Sequence, residues 1–562
     1  MIMLRQSSRK KHQRLMAHAP TAPVQLNREV LEANLSAGTF DILIVGGGVT
    51  GAYCAFDAAL RGYKVALVEQ GDFASGTSSK SSKMVHGGLR YIEQGNIRLV
   101  AHALLERQRL RRNARHLVHR LPFLFPVCRS GAIFDARLSR AFDALLWIYD
   151  LAGGWREGIL HKRLSRADVL AHCPTFRQDG LTGGLLYYDA RVDDARLTLG
   201  LVRSAAMLGA IPLNYARVSN LRRNEHGAID GADVVIASGD PIRIRAKTVV
   251  MATGVWLRDW QGGAKATDTI PHVRPAKGVH VAVPWIKIRN DCTLTIPIPG
   301  TSRRASITRW GDISYIGTTD TDYSGPLDQV VCNHDDLVEL LEAANNALDI
   351  TLTEQDVVGT ISGCRPLVSK KTGGSTADIA RDHVVHVSKD GMVTIVGGKM
   401  TTSRHMAEQT IDAVARVLGS RKSCSTRKAF LLGAAGYDAQ AITATGGLEA
   451  HLAERYGTES RFVSDLIADD PSLAAPLVEG LPYARAEAVF ALRHEMATSV
   501  DDILSRRTRA RFMARDASAR AAQSVGTLIG RELSLPQDVI DKQVEAYRTA
   551  IEREKSALQK GQ

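Results

Sequence analysis

One stretch narrows the fold more than any other: FDILIVGGGVTGAYCAFDAALRGYKVALVEQGDF, residues 40–73. DILIVG is apolar without alternation, as expected of a strand buried on both faces of a parallel sheet. VTGAYCAFDAALRG reads as a helix closed by Gly62, a residue suited to a left-handed C-terminal position. KVALVE repeats the buried-strand pattern, completing a βαβ unit. Gly46, Gly48 and Gly51 fall at its first turn in G-x-G-x-x-G spacing, and Glu69 ends the second strand, 18 residues beyond Gly51. In that context the spacing is the dinucleotide-binding fingerprint. Gly46 permits the tight turn, Gly48 lets the backbone approach a pyrophosphate, and Gly51 brings the helix against the strand. The helix N-terminus adds free N–H groups and partial positive charge. Glu69 is placed to accept hydrogen bonds from an adenosine ribose and disfavours a 2′-phosphate, so NADP is not expected.

The segment after Glu69 separates flavin from nicotinamide. A nicotinamide enzyme would continue with further parallel βα units. This chain runs instead into FASGTSSKSSKMVHGGLRY (73–91), polar and rich in glycine and serine. Strand, glycine turn and helix return only at TIVGGKMTTSRHMAEQ (394–409), more than 300 residues later. A flavin needs a second backbone contact of this kind, because a helix N-terminus near its N1/C2 carbonyl stabilises the negative charge of the reduced ring. Gly397, Gly398 and Lys399 sit where that helix would begin. The crowding of His86, Gly87, Gly88, Arg90 and Tyr91 suits a small anion approached closely by backbone.

Between these two pieces the pattern changes. Residues 97–120 read as a strongly basic helix and 193–209 as another. GVHVAVP, TLTIPIPG, ASITRWG and ISYIGTTD alternate as antiparallel strands do, and a helix is expected over 334–348. From about 420 onward the reading is helical. The seven scattered cysteines form no C-x-x-C, which favours reduced thiols and argues against a disulfide framework or a cysteine zinc site; no metal is expected. No stretch approaches the ~18 apolar residues of a spanning helix; the richest, AFDALLWIYDLAGGW (141–155), carries Asp143 and Asp150. The net charge of +13 favours anionic partners. Zinc-finger spacing, an RNP-like strand and a heptad-linked basic region are all lacking, so a nucleic-acid role is not expected. Residues 1–39 are expected to be a disordered basic extension, a transit peptide being the alternative.

The ordered blocks GGGVTG, VEQGDFASGTSS, SSKMVHGGLRY, VDDARL, VVMATGVW, KGVHVAVP, YIGTTDTDY, GCRPLV, IARDHVV and VGGKMTTSRHMAE resemble the FAD-dependent glycerol-3-phosphate dehydrogenase family over residues 40 to about 415. ALRHEMATSVDDILSRRTRARF (491–512) resembles that family's C-terminal domain. The resemblance implies an α/β fold: a Rossmann-like FAD domain interleaved with a mainly antiparallel substrate domain of the D-amino-acid-oxidase type (40–415), then a helical C-terminal domain (420–562). It implies FAD held by Gly46, Gly47, Gly48, Gly51, Glu69, Thr77, Ser78, Ser82, Gly87, Gly88, Gly254, Gly398, Lys399, Met400 and Thr401. Gly87 and Gly88 would lie against the isoalloxazine. Arg90, Tyr91, Arg365, Arg381 and Lys399 would bind sn-glycerol 3-phosphate. A hydride would pass from C2 to flavin N5, giving dihydroxyacetone phosphate, with His86 as first choice for the base, His280 as second, and Arg365 helping to stabilise the alkoxide. Electrons would go to a membrane quinone. The protein is then expected in the cytoplasm, peripheral to the cytoplasmic face of an anionic membrane, through the basic segments 107–125 or 505–520. A same-scaffold enzyme for another polyol phosphate, such as a tetritol phosphate, an oxygen-using oxidase, and homo-oligomerisation stay open. Two departures from the family pattern stand out: the basic extension, and Ser403 where tyrosine is expected.

Overall fold

In the computed structural model the described residues are 18–559, except 90–91, 93–95, 130–138, 237–238, 240, 260–272, 369–381, 441 and 443–445. The βαβ unit is present as read: strand Ile42–Val45, helix Val49–Leu60 and strand Val65–Val68, with Gly62 at φ 77°. Both strands are wholly buried, which is why their sequences are apolar without alternation. They lie in a six-stranded sheet ordered His383–Val387, Val393–Gly397, Val249–Met251, Ile42–Val45, Val65–Val68, Ile211–Leu213. Pairing is parallel except in the edge hairpin 383–397. The chain thus returns, over 300 residues later, to place the strand before VGGKMTTS two positions from the first strand.

The alternating strands of the middle region build a ten-stranded sheet, antiparallel but for the pairing of Thr293–Pro297 with Val118–Cys128. Helix His334–Ala347 covers it, burying Leu337, Leu340 and Leu341 against Val279, Val281 and Ile307. After residue 446 the described elements are helical, ending in helices Arg515–Leu533 and Gln537–Leu558. Among the described residues no helix is long and apolar enough to cross a membrane.

Three sequence readings need correction. First, residues 28–37, inside the extension expected to be disordered, form a helix. Asn27 caps it by accepting from Val30 N, and Leu31 and Leu35, four residues apart, point into the main core. Burying two leucines is worth roughly 1.5–3 kcal/mol each, enough to hold so short a helix in place. Second, the basic helix read over 97–120 ends at Asn113, and Val118–Cys128 is a strand of the large sheet. Third, the basic segments are less exposed than they read: the arginines of 506–515 are mostly buried, whereas Arg112, Arg115 and Arg120 of the other segment are exposed. Arg107 is buried and paired with Asp189, while Arg506, Arg507, Arg509 and Arg515 are all buried. Arg506 and Arg507 converge on Asp72, and Arg509 on Asp193 and Asp194. Arg196–Glu495 and Arg203–Glu459 add two more buried pairs between the helix Asp194–Met207 and the C-terminal helices. Most of the arginines of 506–515, which looked like a surface, are a seam.

Candidate active site

A cavity of about 470 Å³ opens at the C-terminal ends of the parallel strands, where ligands of open α/β sheets bind. Gly46 and Gly48 line it on one side and Gly397–Thr401 on the other, with Glu69, Ser75–Ser78, Ser81–Ser82 and Ala252–Trp256 between them. His86, His280 and Arg365 close the end nearest the large sheet.

The glycines divide by what they do. At Gly46 (φ 110°) a Cβ would lie 2.5 Å from the Ala252 carbonyl oxygen, and at Gly51 one would lie 1.9 Å from the Gly46 carbonyl oxygen. Gly51 is therefore a contact between helix and turn, not a wall of the cavity. Gly48 is different: a Cβ there would meet Ser78 Oγ at 3.1 Å and otherwise only open space. Gly47 faces away from the cavity, toward Phe73 and Glu69, and its N–H donates to Glu69 Oε2 at 2.6 Å. Gly71 N–H donates to Glu69 Oε1 at 2.9 Å, and burial raises the Glu69 carboxyl above its ordinary range. Glu69 thus braces the glycine turn while lining the cavity. Ser78 Oγ accepts from Val49 N–H, the first residue of the helix, at 2.8 Å. Thr77 Oγ donates to the Cys364 carbonyl at 2.6 Å, tying this loop to the strand that carries Arg365.

The second flavin loop has two consecutive left-handed glycines, Gly397 (φ 84°) and Gly398 (φ 74°), before the turn Met400–Thr402 and helix Ser403–Val417. Ser403, the departure from the family pattern, is buried, and its hydroxyl donates to the Met400 carbonyl at 2.7 Å. Thr401 Oγ accepts from His86 N–H at 3.3 Å, so the loops at 86 and 401 meet directly.

Gly87 and Gly88 are buried, and neither lines the cavity. Gly87 N–H donates to the Tyr149 hydroxyl (3.0 Å) and to Asp189 Oδ1 (3.3 Å), and a Cβ there would strike Tyr149 and Leu104. Its want of a side chain makes room for helix Ser139–Leu151. Arg90, Tyr91 and Arg381 lie outside the described residues.

Arg365 stands on strand Gly359–Val368 with Nη1 3.2 Å from Asp320 Oδ1 and Nη2 donating to Thr318 Oγ at 2.9 Å. Gly278 makes the space, since a Cβ there would lie 2.4 Å from Nη2. His280 is buried, with Nε2 2.9 Å from Ser82 Oγ. Burial, then the Lys83 and Arg365 charges, hold its imidazole down to about 3, so it is neutral at working pH. Sequence reasoning missed Lys80, Arg217 and Asp259, which also line the cavity. Lys80 lies within the glycine- and serine-rich stretch 73–91 but in none of the spacings that single out a site, and Arg217 and Asp259 have no neighbours that set them apart from surface charge.

The residues present suit a flavin dinucleotide: two backbone turns face one another, glycine leaves space where pyrophosphate would lie, and two buried polar atoms at the cavity, Thr253 Oγ and His280 Nδ1, have no partner among the described residues. Comparison with known proteins agrees. A family described as FAD dependent oxidoreductase matches residues 41–404, and the C-terminal domain of alpha-glycerophosphate oxidase matches 424–539. Glycerol-3-phosphate dehydrogenase 2 of Mycobacterium tuberculosis is 37% identical over 549 residues, 95% of this chain and 92% of that one. A mitochondrial glycerol-3-phosphate dehydrogenase of Arabidopsis thaliana is 35% identical, covering 91% and 86%. The crystal structure of glycerol-3-phosphate dehydrogenase from Bacillus halodurans complexed with FAD superposes with a TM-score of 0.76 at 26% identity, covering 96% of this chain and 99% of that one.

Proposed function

Given that this chain belongs to the FAD-dependent glycerol-3-phosphate dehydrogenase family, we propose that it oxidises sn-glycerol 3-phosphate to dihydroxyacetone phosphate in the cavity between the two glycine turns and passes the electrons to a membrane quinone. The observation that carries the substrate reading is Arg365, a guanidinium aimed into the cavity and oriented by Asp320 and Thr318. A planar fork held this way matches a phosphate dianion through paired charge-assisted hydrogen bonds. Arg90 and Arg381 would add to it by family resemblance, and Lys399 lines the same wall. FAD bound at the glycine turns supplies the acceptor for the two electrons and the hydrogen that leave C2. The protein's own part is to hold the alcohol and to take the hydroxyl proton.

Among the described residues two imidazoles line the cavity for that proton. His280, held down to about 3, is a weak base at neutral pH, and its hydrogen bond to Ser82 suits it better to holding the loop that leads into residue 86. His86 is the assigned base. Anaerobic mixing with glycerol 3-phosphate, following the fall of flavin absorbance, tests both assignments. His86→Ala should slow reduction at least about tenfold, ~1.4 kcal/mol, and Arg365→Ala should weaken substrate binding by about 2–3 kcal/mol, thirtyfold or more. If His280 were the base, its acid limb would lie near pH 3, so a limb between pH 6 and 7 excludes it. Equal reduction by a tetritol phosphate would replace the substrate named here.

The quinone reading is supported by helix Ser139–Leu151. Its inner face buries Phe142, Leu146 and Tyr149, the last touching Gly87. Its outer face and the turn beyond expose Trp147, Leu151, Trp155 and Leu160, with Leu151 76% exposed. Arg140 and Lys162 beside them are exposed too. Amphipathic tryptophans flanked by cations suit the headgroup region of an anionic bilayer. The triple variant Trp147→Ser, Leu151→Ser, Trp155→Ser should lose co-sedimentation with phosphatidylglycerol vesicles by at least about tenfold while keeping its flavin. Undiminished sedimentation would move the docking surface elsewhere.

A further inference from the structure

Away from the catalytic cavity, helix Ser403–Val417 carries His405 on a face that meets helix Ile97–Asn113. The rings of His405 and His102 lie 4.4 Å apart at 70°. Glu106 follows His102 by one helical turn, and one ligand atom from each of His102, Glu106 and His405 lies within 4.8 Å of the other two. We propose that these three side chains form a binding site for one divalent transition-metal ion of the zinc class, stapling together the two helices.

The donor set decides the class. Two imidazoles and one carboxylate are borderline ligands that favour zinc and its first-row neighbours, whereas calcium and magnesium demand a shell of oxygens. Three protein ligands leave a fourth tetrahedral position, and the one-third exposure of His102 and one-quarter exposure of His405 open that position to water. A third imidazole, His383, is 6.0 Å from His405 but is bonded through Nε2 to Gln409 Oε1 at 2.5 Å, and it is not a ligand.

Glu106 already has partners. Arg404 reaches Oε2 through Nε at 2.6 Å and Oε1 through Nη2 at 2.7 Å, and Arg109 also binds Oε1. The Arg404 side chain is buried, whereas that of Arg109 is 20% exposed. Metal binding therefore exchanges Arg109 for the ion at Oε1, with Arg404 left to orient the carboxylate from behind, as outer-shell partners of metal ligands do. Glu408, 3.7 Å from His405, stays with Arg404 and Arg427. The two stapled helices each come after a loop of the catalytic site, one after the glycines at 87–88 and the other after the turn 400–402.

The test uses the full FAD-loaded chain, stripped with a chelator and dialysed against zinc, with bound metal counted by elemental analysis. His102→Ala and His405→Ala should each weaken this site more than about tenfold and lower the bound zinc by one per chain. Arg109→Ala should tighten it, because the competing cation is gone. The other group of candidate ligands among the described residues, around His172 and Asp291, is untouched by these changes and gives the baseline. Far-UV circular dichroism and flavin absorbance check that each variant is folded. Zinc binding identical in all four proteins, or none to the unsubstituted chain and Arg109→Ala alike, overturns the proposal. The readout is independent of turnover, so failure of the substrate reading would leave it standing.

Discussion

Asp72→Ala should lower the stability of the folded chain by about 3–5 kcal/mol, the cost of breaking a buried ion cluster by removing one partner. Asp72 is 1% exposed and takes Arg506 Nε and Arg507 Nη1 on one oxygen, both at 2.6 Å, with Arg507 Nη2 at 2.9 Å and Asn214 at 3.0 Å on the other. Arg506 keeps Asp501 and Asp502 when the carboxylate is lost, but Arg507 is left with Glu495. Its guanidinium would then be buried with half its compensation gone. Burial alone would raise the Asp72 carboxyl; Arg507 and Arg506 overcome it and hold the group below the usual carboxylate range. A depressed folded pKa means that this stabilisation is complete at neutral pH and is lost as pH falls below about 4. Thermal unfolding tracked by circular dichroism should show a large drop in midpoint for Asp72→Ala, a smaller one for Asp72→Asn, and convergence of all three proteins in acid. An unchanged midpoint at pH 7 would mean that the C-terminal helices do not depend on this seam.

The second large effect is expected at Gly51. An added Cβ there meets the Gly46 carbonyl at 1.9 Å, a backbone atom of the turn itself, so the turn must move away from the helix. Overpacking of this kind costs about 1–3 kcal/mol. Taken from cofactor binding at the upper end, that is about a hundredfold loss of FAD affinity, and Gly51→Ala should purify largely colourless. Gly48→Ala makes a useful contrast. Its Cβ finds Ser78 Oγ at 3.1 Å and open cavity beyond, so it should fold normally and obstruct only the ligand. Titration with FAD, monitored by flavin fluorescence quenching, distinguishes the two. Full FAD occupancy in Gly51→Ala would remove the turn from the binding site.

The elements read from the residues are those whose signal is local. Continuous apolar runs at 42–45 and 65–68, glycines in fixed spacing, and the strand–turn–helix at 393–417 carry their reason within a few neighbouring residues. The antiparallel strands between 273 and 317 were also read locally, from alternation, yet Val273–Pro284 and Ile313–Gly317 are buried almost throughout, with one face against helix 334–347 and the other against the C-terminal helices. Even so, the short helix 28–37 escaped, because its two leucines are too few to stand out in a basic tail.

The site divides the same way. That Gly46, Gly48, Glu69, His86, His280, Arg365 and Lys399 belong to one cavity was legible from ordered motifs, and the fold brings all seven together. That Gly87 serves Tyr149, that Glu69 braces the turn, and that Gly278 clears space for Arg365 was not, since each depends on a residue 22 to 87 positions away. Charge is where composition misled most. The arginines of 505–515 announce a cation but not its counterion, and Asp72, Asp193 and Asp194 come from distant parts of the chain. Apolar periodicity and glycine spacing are properties of a segment, so the sequence alone determines the cofactor turn and the class of each sheet. Electrostatic pairing is a property of two segments at a distance set by the fold, so only the tertiary structure decides which of 72 lysines and arginines face solvent, which face substrate, and which hold the halves of the protein together.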